Sequence, residues 1–214
     1  MKFQVLKTAE VTSIGELTPQ TKKILFVTHG HGQLVEFFSK KLECIKHPDL
    51  FIICPEALNR FYLKGFRGRV GATWMTSQYR EDDIKDNHLY LNSLLNHCRS
   101  ICPKAEIHLL GFSQGAQTIS RWAFFEKINY KSICLWGGRQ AHDVDWKVYS
   151  NKSSSIPFEL RMGDEDEFYG ESKINDWLRM WREQNVVFNF ELYKGKHRLE
   201  EEAIQDYAKQ ILNI

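Results

Sequence analysis

This sequence lacks a disulfide framework, any excess of charge of one sign, and long hydrophobic runs. Its 214 residues contain only five cysteines, Cys44, Cys54, Cys98, Cys102 and Cys134, an odd number without a CxxC pair. That spacing excludes a disulfide scaffold and gives no zinc-site pattern, and segments such as IICPE and ICLWG predict thiols that pack as small core hydrophobes. A reducing cytoplasm is the expected compartment. Lys and Arg (29) nearly balance Asp and Glu (27), for a formal net charge of +2, and no basic block interrupts the mixture. Nothing here favours a nucleic-acid partner. No apolar stretch approaches the ~18 residues of a membrane span. The N-terminal MKFQVLKTAEVTSIGEL has no continuous apolar core of the kind a signal peptide needs, so export is not expected. Internal repeats are absent, and the short run Ser150–Ser155 reads as a connector.

What is present is an ordinary globular composition, with 43% hydrophobic, 26% charged and 13% aromatic residues. A chain of this length suits a single domain, 1–214, without a separate lid domain, and such a domain buries about 70% of the surface its unfolded form exposes. Short β-branched and aromatic runs predict strands at Phe3–Leu6, Ile24–Thr28, Leu50–Cys54, Ile107–Leu110, Ser132–Trp136, Phe158–Met162 and Val186–Tyr193. Helical spacing fills the gaps at Leu34–Ile45, Asp83–Cys98, Gln114–Lys127, Ser172–Gln184 and Leu199–Leu212. Strands alternating with helices imply an α/β fold with a mainly parallel central sheet covered by helices on both faces, its first strand pairing antiparallel at an edge. The stretch Pro55–Arg80 shows no period and reads as a long loop at the carboxyl edge of a strand, where ligands bind. Its arginines, Arg60, Arg67, Arg69 and Arg80, read first as solvated surface and second as contacts for an anionic substrate.

The chemistry is carried by Gly111-Phe112-Ser113-Gln114-Gly115, a G-x-S-x-G sequence between an apolar strand and an amphipathic helix. A nucleophile at the tip of such a turn needs small neighbours so that strand and helix can close, and the helix start aims free N–H groups at the hydroxyl. Ser113 is therefore the candidate nucleophile, and the N–H of Gln114 a candidate oxyanion donor. A second donor is expected from THGHGQ, where Gly30 and Gly32 flank His31; the alternative, His29 and His31 as metal ligands, finds no third ligand nearby. Where this elbow is catalytic, the acid and then the base follow it in the chain. The base is then His142 or His197, and His197, after the last strand, has strand-borne acids between itself and Ser113. The acids available are Asp164, Glu165, Asp166 and Glu167.

THGHGQ, CPEA, GFSQGAQ, MGDEDEF and YKGKHRL, in this order over nearly the whole chain, resemble the phospholipase/carboxylesterase branch of the α/β-hydrolases, which includes acyl-protein thioesterases. The resemblance implies Asp166 as the acid, with Asp164 its rival, His197 as the base, and backbone donors at His31 and Gln114. It also implies a small-molecule ester or thioester substrate, neither metal nor organic cofactor, and Trp74 and Phe168 as candidate substrate contacts. Gln33, where the family commonly has an acid, and GKH in place of GxGH are departures that bear on substrate preference. Two other functions fit the same residues: a non-catalytic binding protein on this fold, and an acyltransferase with an acceptor other than water.

Overall fold

The computed structural model describes residues 1–214. Six parallel strands form the centre of a seven-stranded sheet: β2 (Lys23–Thr28), β3 (Leu50–Pro55), β6 (Glu106–Phe112), β7 (Ser132–Trp136), β8 (Phe158–Gly163) and β9 (Phe188–Tyr193). Edge strand β1 (Val11–Ile14) pairs antiparallel with β3, and the order across the sheet is β1-β3-β2-β6-β7-β8-β9. Helices α1 (Val35–Phe38), α2 (Arg80–Ile101), α3 (Gln114–Phe125), α4 (Trp146–Ser153), α5 (Glu171–Glu183) and α6 (Glu201–Leu212) make the crossovers and the C-terminal cover.

Alternation along each strand divides the core between the two faces. Ile24, Phe26, Phe51, Ile53, Ile107 and Leu109 join a 30-residue cluster with residues of α2, α3, α4 and α5. Leu25, Val27, Ile52, Cys54, Leu110 and Phe112 join a 21-residue cluster with α1 and α6. A strand buried on both sides in this way reads as the continuous apolar run seen in the sequence. No helix is long and apolar enough to cross a membrane.

Several expectations need correction. Residues 3–6 form no strand and Phe3 and Leu6 are exposed; the edge is taken by β1, where Ile14 is buried. Leu34–Ile45 is not one α-helix. After α1 the chain winds as a 3₁₀-helix from Ser39 to Ile45, and Ser39, Leu42 and Ile45 face inward at the three-residue period of that form. The connector at Ser150–Ser155 is largely helix α4, started by the Asp145 side chain accepting from Lys147 N–H at 2.8 Å and held by buried Tyr149 and Ser153. The stretch Pro55–Arg80 contains an antiparallel hairpin, β4 (Asn59–Tyr62) with β5 (Val70–Thr73). Four cysteines are buried, whereas Cys44 is exposed; all five are free.

Candidate active site

The strand order reverses direction between β2 and β6, with β3 to one side and β7 to the other, so a crevice opens at their carboxyl ends. Thr28 pairs with Gly111 there, which brings the segments after the two strands together. Ser113, the residue between β6 and α3, has φ 56° and ψ −117°, a backbone conformation that L side chains rarely adopt. The flanking glycines make it possible. A Cβ on Gly111 would stand 2.5 Å from Ala116 Cα, and one on Gly115 would overlap the Thr28 carbonyl. Ser113 N–H donates to Trp136 O at 2.8 Å, fixing the turn to the next strand.

Two loops from the other half of the sheet close on this serine. His197, four residues beyond β9, has Nε2 3.0 Å from Ser113 Oγ and Nδ1 2.7 Å from Asp166 Oδ2. Asp166 follows β8 with its carboxylate buried, and its other oxygen accepts the N–H groups of Phe168 (2.9 Å) and Tyr169 (3.2 Å). Those bonds leave Oδ2 for the imidazole. The ring itself is boxed by Phe112, Phe168 and Tyr169, with centroids at 4.9, 4.8 and 5.7 Å. Asp164 is engaged elsewhere: its Oδ1 accepts Gly195 N–H at 2.8 Å, bracing the loop that carries His197. Glu167 braces it too, accepting the His197 N–H at 3.2 Å. His142 is exposed and joins none of these contacts.

On the third side lie the candidate oxyanion donors. The N–H of His31 has no acceptor in the protein, in contrast to those of its neighbours, Gly30 (to Gln33 Oε1, 2.8 Å) and Gly32 (to Ala72 O, 2.8 Å). Gln114 opens α3, so its N–H has no intrahelical acceptor. Both side chains are bonded away from Ser113 and His197. Gln114 bonds Thr73 Oγ1, Trp74 N–H and Met75 O, while the His31 ring bonds Thr73 and stacks on Phe61 at 5.0 Å. The β4–β5 hairpin thus clamps both loops. His29 is buried: its Nε2 accepts Ala57 N–H at 3.0 Å, which assigns the remaining proton to Nδ1, facing Gly30 O at 2.8 Å. Burial pushes its pKa down to about 4, so the ring is neutral. No cluster of three or more His, Cys, Asp or Glu side chains suited to a metal forms anywhere in the chain.

The sequence profile of phospholipase/carboxylesterase proteins matches residues 9–213. The chain belongs to this family. Among curated proteins no significant match is found. Similar solved structures include esterase PE8 (17% identity, 97% of this chain and 100% of that one, TM-score 0.70). The acyl-protein thioesterase 2 of Zea mays is comparable (19%, 96% and 99%, TM-score 0.69), as is a phospholipase/carboxylesterase of Dyadobacter fermentans (16%, 98% and 99%, TM-score 0.68). The fold is that of the α/β-hydrolases, and the family is one of carboxylesterase- and thioesterase-type hydrolases.

For a member of the phospholipase/carboxylesterase family, the sequence reading missed three contributors. Gly137 (φ +57°) and Gly138 end β7 beneath the site. A Cβ on Gly137 would lie 3.1 Å from His197 Cε1, and one on Gly138 would lie 2.6 Å from Ser113 O. The WGG run was the available signal. Thr73 is the third, a hydroxyl joining both oxyanion loops. Trp74, expected as a substrate contact, is fully buried, and its indole N–H donates to His29 O at 2.8 Å, so its ring packs under the loop, away from solvent. Phe168 is 62% exposed at the edge of the His197 ring. A cavity of about 560 Å³ adjoins Gly32, floored by Leu34, Phe37, Phe38 and Val70, with Lys41 and Arg69 also lining it.

Proposed function

We propose that this protein is a serine hydrolase that cleaves carboxylic esters or thioesters of small molecules through an acyl-serine intermediate. One observation carries the reading: the unbroken relay from Ser113 Oγ to His197 Nε2 (3.0 Å) and from His197 Nδ1 to Asp166 Oδ2 (2.7 Å). A serine hydroxyl at its ordinary pKa is a weak nucleophile, and it needs a base held in the right tautomer. Asp166 accepts a hydrogen bond from Nδ1–H, so Nε2 presents its lone pair to the Ser113 hydroxyl. As Oγ attacks the carbonyl, His197 takes the proton, and the N–H groups of His31 and Gln114 receive the developing oxyanion. The imidazolium then returns its proton to the departing alcohol or thiol. Water repeats the cycle in reverse and frees the acid. The 560 Å³ cavity beside the oxyanion loop is of a size suited to a small apolar acyl group.

The chain works as one catalytic unit without a separate lid domain. A cytoplasmic setting suits its free thiols, four of them in the core. The deciding experiment compares wild type and Ser113→Ala on 4-nitrophenyl esters and on an acyl thioester, with labelling by a fluorophosphonate probe. Turnover and labelling should both vanish in the variant to within background. Equal turnover by the two proteins, or labelling that survives the substitution, overturns the assignment.

A further inference from the structure

Four arginines are withdrawn from full exposure: Arg80, Arg121, Arg139 and Arg161. Three of them hold carboxylates. Arg80 meets Glu81 and Asp143, Arg121 meets Asp143, and Arg161 meets Glu159 and Glu191. Arg139 pairs with no acid and donates to no protein acceptor; its guanidinium lies over the Trp177 ring, 5.7 Å from the centroid. Its five N–H donors thus find no acceptor within the protein.

The position of this unpaired cation is informative. Arg139 follows Gly137 and Gly138, the two residues whose missing Cβ atoms leave room for the His197 ring and the Ser113 carbonyl. Its Trp177 platform packs on Tyr169 at 4.7 Å, and Tyr169 packs on His197 at 5.7 Å. The guanidinium therefore stands at the rim of the site, with two aromatic rings, Trp177 and Tyr169, between it and the imidazole. An indole behind it holds the planar fork in place, with hydrogen-bonding edges free for a ligand carrying two oxygens.

We propose that Arg139 is a specificity-determining residue that pairs with an anionic group, a carboxylate or a phosphate, carried by the substrate at the rim of the site. This inference rests on the reading of Ser113, His197 and Asp166 as a hydrolytic site. It narrows the substrate class to charged esters or thioesters. The exposed arginines of the 55–80 segment have no comparable aromatic support: Arg60 is already paired with Glu56, and Arg67 and Arg69 lie over no ring, although Arg69 lines the 560 Å³ cavity.

The test uses two substrate pairs: 4-nitrophenyl hemisuccinate against 4-nitrophenyl butyrate, with the charge on the acyl side, and O-butyrylglycolate against ethyl butyrate, with the charge on the alcohol side. In one pair at least, the anionic-to-neutral ratio of kcat/KM should fall tenfold or more in Arg139→Gln and return in part in Arg139→Lys. Binding of succinate and of inorganic phosphate to the Ser113→Ala protein, measured by calorimetry, should weaken at least tenfold when Arg139→Gln is added. Binding that depends on Arg139 in a protein whose wild type turns over no ester would sustain the anion site and sink the hydrolase reading alone. Ester turnover with ratios indifferent to Arg139, or anion affinity that is absent or unchanged by the substitution, overturns the inference.

Discussion

His29 Nε2 accepts the N–H of Ala57 at 3.0 Å, and that bond can exist only while the imidazole is neutral. The ring ties the segment after β2 to the segment after β3, directly beneath the His31 loop. Its pKa is lowered from 6.5 to about 4 by burial, and His108 on β6 is lowered to about 4 by the same cause.

The sign of the pH dependence follows. The unfolded chain binds protons at these histidines below pH 6.5, whereas the folded chain resists them until about pH 4. Their contribution to stability is complete above pH 6.5 and is lost as the pH falls toward 4, by about 3 kcal/mol at most for each ring. Melting temperature should therefore drop steadily between pH 6.5 and 4. His108→Asn should flatten part of that slope, and a flat wild-type profile over this interval would contradict the burial argument.

The neighbouring carboxylates Asp164 and Asp166 make different bonds, and a pair of variants separates them. Asp166→Asn keeps the size of the side chain but can present an amide N–H to Nδ1, which stabilises the wrong tautomer of His197. Losses on the order of 10⁴ in kcat are typical of that change. Asp164→Asn removes charge from a bond to the Gly195 N–H, a bracing contact, and should cost less than about tenfold by comparison with the loss of one loop hydrogen bond. Steady-state kinetics of the two proteins on one ester decides it. Comparable losses would mean that the acid has been misassigned.

Much of this arrangement was legible in the residues because the parallel strands are apolar on both faces and the helices between them keep one stripe. The elbow could be placed because Gly111 and Gly115 have a steric duty that no other residue type can meet. The rest was hidden where structure depends on partners far along the chain. Gly71 interrupts the β5 pattern because a Cβ there would stand 2.7 Å from Gly32 Cα, so the hairpin could not be seen without the loop on which it rests. Helix α4 spans 8 residues and turns only Trp146, Tyr149 and Ser153 toward the core, too short a stripe to show a period. The family resemblance offers Trp74 as a substrate contact, and its burial becomes visible only with its bond to the carbonyl of His29.

Gly137 is the glycine whose side-chain space is occupied by His197, the proposed base. Alanine would have to keep φ at +57°, which costs about 1 kcal/mol, and its methyl group would press on His197 Cε1 from 3.1 Å. The ring can yield only toward Phe168 and Tyr169, away from Ser113. Gly137→Ala should fold, melt a few degrees lower, and lose tenfold or more in kcat with a smaller change in KM, on the scale of losses from 1 Å misplacements. A variant with full kcat would show that the ring has more freedom than its surroundings suggest.

Trp74 and Phe168 test whether burial or exposure governs a residue's effect on catalysis. Trp74→Phe removes the indole N–H that holds His29 O and leaves a small void, so stability should fall by about 2 kcal/mol. Because the ring is fully buried, kcat/KM should fall by one common factor for short and long acyl esters alike. Phe168 is 62% exposed and touches the edge of the His197 ring. Phe168→Ala should leave the melting temperature nearly unchanged, since little apolar surface is uncovered, while KM rises unequally across a series from acetate to octanoate esters. Loss of substrate discrimination in Trp74→Phe, with uniform behaviour in Phe168→Ala, would reverse the two roles and require the Trp74 ring to become accessible when substrate binds.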